Sequence, residues 1–204
     1  GYLAHKYIPG SGITLKWFID SFGDGSFEKM EKLAESLPPG CAGLMAIGLL
    51  GGSAMPFDSS QKGMWMGAGY VHKPEHFYRA LLESFCYDIA LSIDSIEETY
   101  GSRPSGRILM IGGGAQSGIW GQMLADVTGR CVRRRNAGNT TLLGAAAIGY
   151  RGIGMADSCE AAIEEGKERE VICKPNAENA PEYEVFKKRY ARYRSGLHEY
   201  FAGL

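Results

Sequence analysis

The chain has 204 residues, of which 45% are hydrophobic and 22% are charged, and its formal net charge is -1. This composition is typical of one globular domain with a substantial apolar core. The near-neutral charge argues against a nucleic acid or an anionic membrane as partner, and no apolar run reaches the roughly 20 residues that cross a bilayer.

The five cysteines are scattered singly, and none forms a C-x-x-C pair. We therefore expect reduced, buried thiols and a cytoplasmic location. The four histidines are dispersed as well, so the sequence predicts no metal site. The cysteines are Cys41, Cys86, Cys131, Cys159 and Cys173.

The first fifty residues alternate between strand-like and helical patterns. Residues 1–8 predict a strand, and Ile13–Phe22 predicts a helix with one apolar side. Ser26 is a candidate N-cap for a second helix, Phe27–Leu37, which a Pro-Pro-Gly sequence ends. Leu44–Leu50 is a candidate buried strand.

Residues 51–70 are rich in glycine, methionine and aromatic residues and predict an irregular loop. Such a loop either serves a function or an interface, with Asp58 as a residue that could face a ligand, or it packs its own side chains. Pro74–Tyr100 then predicts the longest helix, because its apolar residues keep a period near 3.6. The acidic residues near its end predict a solvated face: Asp94, Glu97 and Glu98.

The segment Arg107–Gly129 combines an apolar strand, three consecutive glycines and a helix with Ser117 as candidate N-cap. Glycines let a ligand approach the backbone, and the first N–H groups of a helix lack intrahelical partners. We therefore hypothesise a phosphate site, with a turn that binds nothing as the alternative. The spacing fits neither G-x-G-x-x-G with a downstream ribose acid nor a P-loop.

The rest of the chain continues the alternation of helices and strands. Cys131–Val132 predicts a short strand among four arginines, which form either a solvated edge or an anion site. Asp126 is expected on the exposed side of its helix. The remaining predicted elements are a helix at Asn139–Tyr150, a short helix at Asp157–Gly166, a strand at Arg169–Lys174 and an aromatic-rich helix at Pro181–Phe201.

Five blocks together resemble the FGGY carbohydrate kinases, in the family's order. Gly63–Glu83 resembles the family's second signature, and GGGAQSGIWGQMLADVTG resembles its adenosine-motif turn and following helix. Three further blocks are similar to family motifs: GITLKWFID, LLGAAAIG and PNAENAPEYEVFKKRYARY. Gly52 and Ser53 depart from the pattern, since they stand where relatives often have a charged pair.

The resemblance implies an α/β fold of the ribonuclease H-like (actin-like ATPase) class, with a mixed central sheet flanked by helices. It implies that residues 1–204 are the C-terminal, nucleotide-binding domain of a kinase that transfers the γ-phosphoryl group of ATP, with Mg²⁺, to a sugar or polyol. The implied nucleotide contacts are Gly67, Gly113, Gly114, Ala115, Ser117 and Gly118.

No residue of the chain matches the family's catalytic aspartate or provides an evident general base. The resemblance places that aspartate, and the sugar site, in an upstream domain, so we expect this chain to be a fragment that is inactive alone. A homodimer would bury the face that meets the missing domain, for which residues 51–70 are the candidate. The alternatives are a non-catalytic nucleotide-binding or interaction module and, less favoured, a dinucleotide oxidoreductase.

Overall fold

The computed structural model describes residues 3–54, 57–101, 106–135, 140–163 and 170–201. The described helices are α1 (Ser11–Phe22), α2 (Phe27–Glu35), α3 (Pro74–Tyr100), α4 (Gly118–Thr128), α5 (Thr140–Gly152), α6 (Cys159–Ile163), α7 (Ala180–Ser195) and α8 (Leu197–Phe201). The strands are β1 (Met45–Ile47), β2 (Ser53–Ala54), β3 (Phe57–Asp58), β4 (Met64–Met66), β5 (Arg107–Met110), β6 (Cys131–Arg135) and β7 (Glu170–Cys173).

Helix α3 is the centre of the core, and α1, α2, α4, α7 and β1 all pack against it. It begins at Pro74, as the sequence predicts, and it ends before Gly101, whose φ of 64° only glycine adopts readily. α1 and α2 also confirm their predictions. The hydroxyl of Ser26 accepts a hydrogen bond from the backbone N–H of Lys29 at 3.3 Å, so the predicted cap is present.

A three-stranded sheet in the order β5-β6-β7 lies beside this helical core. β5 and β6 are parallel, with Ile108 opposite Val132, and β6 and β7 are antiparallel, with Val132 opposite Cys173. The apolar strand predicted before the glycines is observed as β5, but the expectation from its apolar residues that it would be buried was wrong, because Leu109 is 52% exposed. β5 is an edge strand of the described sheet, and within that sheet α4 packs mainly against β6 and β7.

Two predictions for the first seventy residues need correction. Residues 3–8 form no strand, since no described strand pairs with them and Leu3 is almost fully exposed. The loop at 51–70 contains short strands. β4 pairs antiparallel with β1, with Met45 opposite Met66, and β2 pairs with β3, with Ser53 opposite Asp58.

The predicted terminal helix is two helices, because the chain turns at Gly196 between α7 and α8. Tyr183 and Tyr190 of α7 are buried against Tyr87 of α3, so these aromatic side chains pack into the core. The helix predicted at 139–150 is observed as α5. The helix predicted at 157–166 is confirmed only in part, since residues 164–169 lie outside the described residues.

Two expectations about acidic residues were wrong. Asp126 is buried, and Glu97 is a partly buried ion-pair partner of Arg130. A helical pattern predicts which side of the helix carries each side chain, but it does not predict which other parts of the chain cover that side.

Glu83, the last residue of the block that resembles the family's second signature, forms the centre of a buried polar network. Its carboxylate accepts hydrogen bonds from Arg79 at 3.0 Å, from Tyr87 at 3.2 Å and from the backbone N–H of Gly40 at 3.0 Å. Arg79 in turn donates to Tyr183, so the network joins α3, α7 and the turn that precedes β1. Among the described helices, none combines the length and apolar character of a membrane-spanning segment.

Candidate functional site

Gly113–Gln116 form a tight 3₁₀ turn between β5 and α4, and Gly112, the first of the three consecutive glycines, immediately precedes it. Gly112 has a φ of 78°, and its carbonyl accepts a hydrogen bond from the N–H of Ala115 at 3.1 Å. The N–H of Ser117 closes the turn on the carbonyl of Gly114 at 3.1 Å. The chain thus reverses direction and presents the start of α4 beside the end of β5.

The structure gives each glycine a different reason to lack a side chain. Gly112 needs the left-handed conformation. A Cβ on Gly114 would lie 2.9 Å from the indole ring of Trp120, so that glycine is required for packing. A Cβ on Gly113 would meet nothing within 4 Å. Of the three, Gly113 is therefore the one whose missing side chain leaves open space without being needed for the fold.

The first turn of α4 is capped as the sequence predicts. The hydroxyl of Ser117 accepts a hydrogen bond from the backbone N–H of Trp120 at 3.2 Å. The N–H groups of Gly118 and Ile119 belong to the first helical turn, where backbone donors have no intrahelical acceptor. These donors, and the positive end of the helix dipole, suit an anionic or polar ligand.

Arg134 of β6 hydrogen-bonds to the backbone of the glycine turn. Its guanidinium donates to the carbonyls of Ala115 at 3.1 Å and Gln116 at 3.3 Å. Gly121 makes room for this side chain, since a Cβ there would collide with the side-chain carbons of Arg134. Arg134 therefore stabilises the turn.

The other three arginines around β6 are also engaged within the chain. Arg133 and Arg135 both bind the carboxylate of Glu170, and Arg130 binds Glu97. Their guanidinium groups thus have intramolecular anionic partners, which argues against a dedicated anion site formed by this strand.

A cavity of about 570 Å³ lies between the glycine turn and the first two helices. Leu15, Phe27 and Trp120 give it apolar surface, and Tyr78 contributes a phenol from α3. The sequence patterns did not indicate that α1 and α2 would contribute to this cavity. The cavity-lining residues of these two helices are Gly12, Leu15, Lys16, Phe27, Glu28 and Glu31.

Glu31 is the half-buried carboxylate of this cavity. Burial raises the pKa of its carboxyl above the ordinary value of 4.5, and hydrogen bonds from Ser117 and Tyr78 only partly offset that shift. The hydroxyl of Tyr78 lies 3.5 Å from a Glu31 oxygen. Burial, and then the charge of Glu31, raise the pKa of Tyr78, so its phenol stays protonated and acts as a donor.

Lys16 is the one cationic side chain among the cavity-lining residues. It lies on α1 and forms an ion pair with Asp20, one turn further along, at 2.7 Å. Both side chains are more than half exposed, so this pair holds Lys16 only weakly and leaves it available to a ligand.

The structure brings together three of the six predicted nucleotide contacts: Gly113, Gly114 and Ser117 line the cavity. Gly118 follows Ser117 on the exposed start of α4, whereas Ala115 is buried beneath the turn. Gly67 lies elsewhere, at the end of β4. Its φ is 81°, and a Cβ there would approach the carbonyl of Gly43 to 2.8 Å, so local backbone packing accounts for this glycine.

Gly52 and Ser53, the departure from the family pattern, lie where two backbone segments meet. Gly52 has a φ of 90°, and a Cβ there would approach the carbonyl of Asp58 to 2.9 Å. Asp58 itself accepts a hydrogen bond from Gln61 at 3.0 Å and pairs with His198 at 2.9 Å. Hydrogen bonds from Ser60, His198 and Gln61 hold the pKa of Asp58 well below its usual range.

Within the described residues, no group of three or more His, Cys, Asp or Glu side chains is arranged to hold a metal ion. All five cysteines are free thiols. Burial raises the pKa of the Cys41 and Cys86 thiols, which makes them poor nucleophiles.

Comparisons with known proteins agree on one family. A profile of the FGGY family of carbohydrate kinases, C-terminal domain, matches residues 1–153. A xylulose kinase of Lactococcus lactis is 34% identical over 179 residues, which cover 85% of this chain and 35% of the relative. A gluconokinase of Bacillus licheniformis is 30% identical, with 74% of this chain and 32% of the relative covered.

Solved structures share the fold at lower identity. The ligand-bound xylulose kinase of Lactobacillus acidophilus matches with a TM-score of 0.77 at 19% identity, over 94% of this chain and 39% of that one. The Plasmodium falciparum glycerol kinase solved with ADP matches with a TM-score of 0.73 at 16% identity, over 90% of this chain and 37% of that one. The chain therefore spans between about a third and two fifths of the length of these proteins.

Proposed function

The chain belongs to the FGGY family of carbohydrate kinases, and we propose that it binds ATP in the cavity beside the glycine turn. In the intact enzyme it would supply the nucleotide half of a kinase that phosphorylates a sugar or polyol hydroxyl. The observation that carries this proposal is the combination of open Gly113, the capped start of α4 and an adjoining cavity of about 570 Å³. The ADP bound to the glycerol kinase of similar fold supports it.

We assign the whole chain, residues 1–204, to one C-terminal domain of the ribonuclease H-like (actin-like ATPase) class. The mixed parallel and antiparallel order of β5-β6-β7 supports the class. The family profile ends at residue 153, but Tyr183 and Tyr190 are buried on α3, which supports including the C-terminal helices. We also retain the cytoplasm as the location and a homodimer as a proposal for the free domain.

In this proposal the chain positions the nucleotide for in-line transfer. The first-turn N–H groups of α4, which include that of Gly118, and the side chain of Lys16 would contact polar groups of the nucleotide. Ala115 and the rest of the turn backbone would support these groups. Mg²⁺ would neutralise charge on the phosphates, held mainly by the nucleotide itself as is usual for this ion. The catalytic base and the sugar site would belong to the N-terminal domain, and domain closure would exclude water.

Substitution of Gly113 by alanine tests the nucleotide site directly. Its Cβ would meet nothing within 4 Å and its φ is not left-handed, so Gly113→Ala should fold normally while its methyl group occupies ligand space. We expect isothermal titration to show ATP binding by the unaltered chain and about tenfold weaker binding by the variant, which corresponds to a loss of roughly 1.4 kcal/mol. Gly149→Ala, an equally open glycine on α5, is the matched control.

Two further experimental results are expected if the chain is the nucleotide-binding part of a kinase. The chain alone, mixed with ATP, Mg²⁺ and a panel of sugars and polyols, should give no phosphoryl transfer, and turnover would contradict the assignment of the base to another domain. Titration with NAD in place of ATP should give no binding. Equal affinity of Gly113→Ala and the unaltered chain for ATP would remove the glycine turn from the site.

A further inference from the structure

The α2 wall of the cavity carries negative charge. Glu28 and Glu31 both line it, against a single cationic side chain, Lys16. Two carboxylates repel phosphates in a partly desolvated site, so this wall suits an uncharged part of a nucleotide. The neighbouring side chains Leu15, Phe27 and Trp120 offer the apolar and aromatic surface that a nucleoside requires.

Glu31 receives side-chain hydrogen bonds from two hydroxyl groups, those of Ser117 and Tyr78, whereas a carboxylate has about four acceptor positions. The hydroxyl of Tyr78 approaches one of its oxygens only to 3.5 Å, at the limit of a hydrogen bond. The backbone N–H groups of Ala115 and Ser117 in the adjoining turn are bonded to the carbonyls of Gly112 and Gly114. A carboxylate with unused acceptor capacity, facing a cavity, gains most from a ligand that brings its own donor.

We propose that Glu31 is a specificity-determining residue that accepts a hydrogen bond from a donor on the nucleoside of the bound nucleotide. The donor is an exocyclic amine of the base or a ribose hydroxyl, which are the nucleoside groups that can donate to a carboxylate. This inference rests on the proposed binding of ATP in the same cavity. It adds that Glu31 disfavours nucleotides lacking that donor, since part of the acceptor capacity of this half-buried carboxylate would then remain unused.

The test compares affinity ratios, which cancel the general effect of charge on a triphosphate. The unaltered chain, Glu31→Leu and Glu35→Leu are each titrated with ATP, inosine triphosphate, 2′-deoxy-ATP and 3′-deoxy-ATP. Glu35 is the matched control, because it is an exposed carboxylate one turn further along α2 and does not line the cavity. Glu31→Gln, which preserves size, is a second variant in case leucine disturbs the packing, and circular dichroism checks the fold of each.

We expect one analogue to bind about tenfold more weakly than ATP to the unaltered chain and to Glu35→Leu, as loss of a hydrogen bond to a charged group predicts. In Glu31→Leu that ratio should fall to near one, and in Glu31→Gln it should be reduced. The analogue concerned identifies the donor as the base amine or the ribose hydroxyl. Ratios that are the same in all four proteins would overturn the inference while leaving ATP binding intact, whereas no ATP binding by the unaltered chain would overturn both proposals.

Discussion

The carboxylate of Asp126 on α4 accepts a hydrogen bond from the side-chain amide of Asn179 at 2.8 Å. It also accepts from the backbone N–H of Asn176 at 2.9 Å and from the amide of Gln122 at 2.7 Å. One buried side chain thus fastens the segment before α7 to the helix that follows the glycine turn. These hydrogen bonds join two of the blocks that resemble family motifs, the one that contains LAD in α4 and the one that begins PNAEN before α7.

Replacing this carboxylate should destabilise the domain. In Asp126→Asn an amide group would face the N–H donors that the carboxylate now accepts, so at least one buried donor loses its acceptor. We expect a loss of about 2–3 kcal/mol in the free energy of unfolding, measured by urea denaturation. Asp94→Asn is the control, because Asp94 is about half exposed and its ion pair with Lys187 is 3.5 Å long. It should lose less than about 1 kcal/mol, and equal losses would contradict the structural role of Asp126.

Local patterns in the sequence correctly predicted the structural features that depend only on residues close together in the chain. The bounds of α3 follow from Pro74 and the apolar period, and the caps at Ser26 and Ser117 follow from side chains that bond three residues ahead. The glycine turn was also identified correctly, because its character is set by consecutive residues.

Features that depend on distant segments could not be predicted in this way. Glu31 reaches the cavity because α2 and α4 pack on the same helix, and no spacing in the sequence encodes that approach. Asp126 is buried because the segment around Asn176 and Asn179, fifty residues later, covers it. The exposure of β5 has the same origin, since an apolar run does not reveal whether both sides of a strand are covered.

A second prediction follows from the contact between Gly121 and Arg134, the arginine whose side chain hydrogen-bonds to the glycine turn. In Gly121→Ala the added methyl group would displace the arginine from the carbonyls of Ala115 and Gln116. Overpacking of this kind costs about 1–3 kcal/mol of stability. ATP affinity should fall as well, because the turn loses its support.

Gly149→Ala serves again as the control for Gly121→Ala. Both glycines lie in helix interiors, but a Cβ on Gly149 would meet nothing within 4 Å. Alanine favours the helix by up to about 1 kcal/mol over glycine, so the control should gain stability. Urea denaturation and ATP titration would check both variants. An increase in stability for Gly121→Ala would show that Arg134 does not need this space.

Glu83 supports a third prediction, since it is the buried acceptor for three parts of the chain. Glu83→Gln would leave the guanidinium of Arg79, which is 7% exposed, without its charged partner. Breaking a buried ion pair in this way costs about 3–5 kcal/mol, and we expect that loss in chemical denaturation. Glu98→Gln, at an exposed position on the same helix, should change stability by less than about 0.5 kcal/mol.

A fourth prediction concerns Glu31 and pH. A carboxyl group with a raised pKa in the folded state binds protons more tightly there than in the unfolded chain, so its ionisation destabilises the fold as pH rises. Glu31→Gln should therefore increase the free energy of unfolding at neutral pH, and the gain should disappear below the ordinary pKa of 4.5. The gain should stay below about 1 kcal/mol, because the group is only half buried and solvent screens its charge.

Urea denaturation of both proteins between pH 3 and about pH 8 would measure this difference, with Glu35→Gln as the control for removing one carboxylate from α2. If Glu31→Gln is less stable than the unaltered chain at neutral pH, the carboxylate contributes to the fold rather than opposing it. The predicted gain in stability, together with a loss of nucleoside discrimination, would instead mean that Glu31 is kept in an unfavourable position for binding.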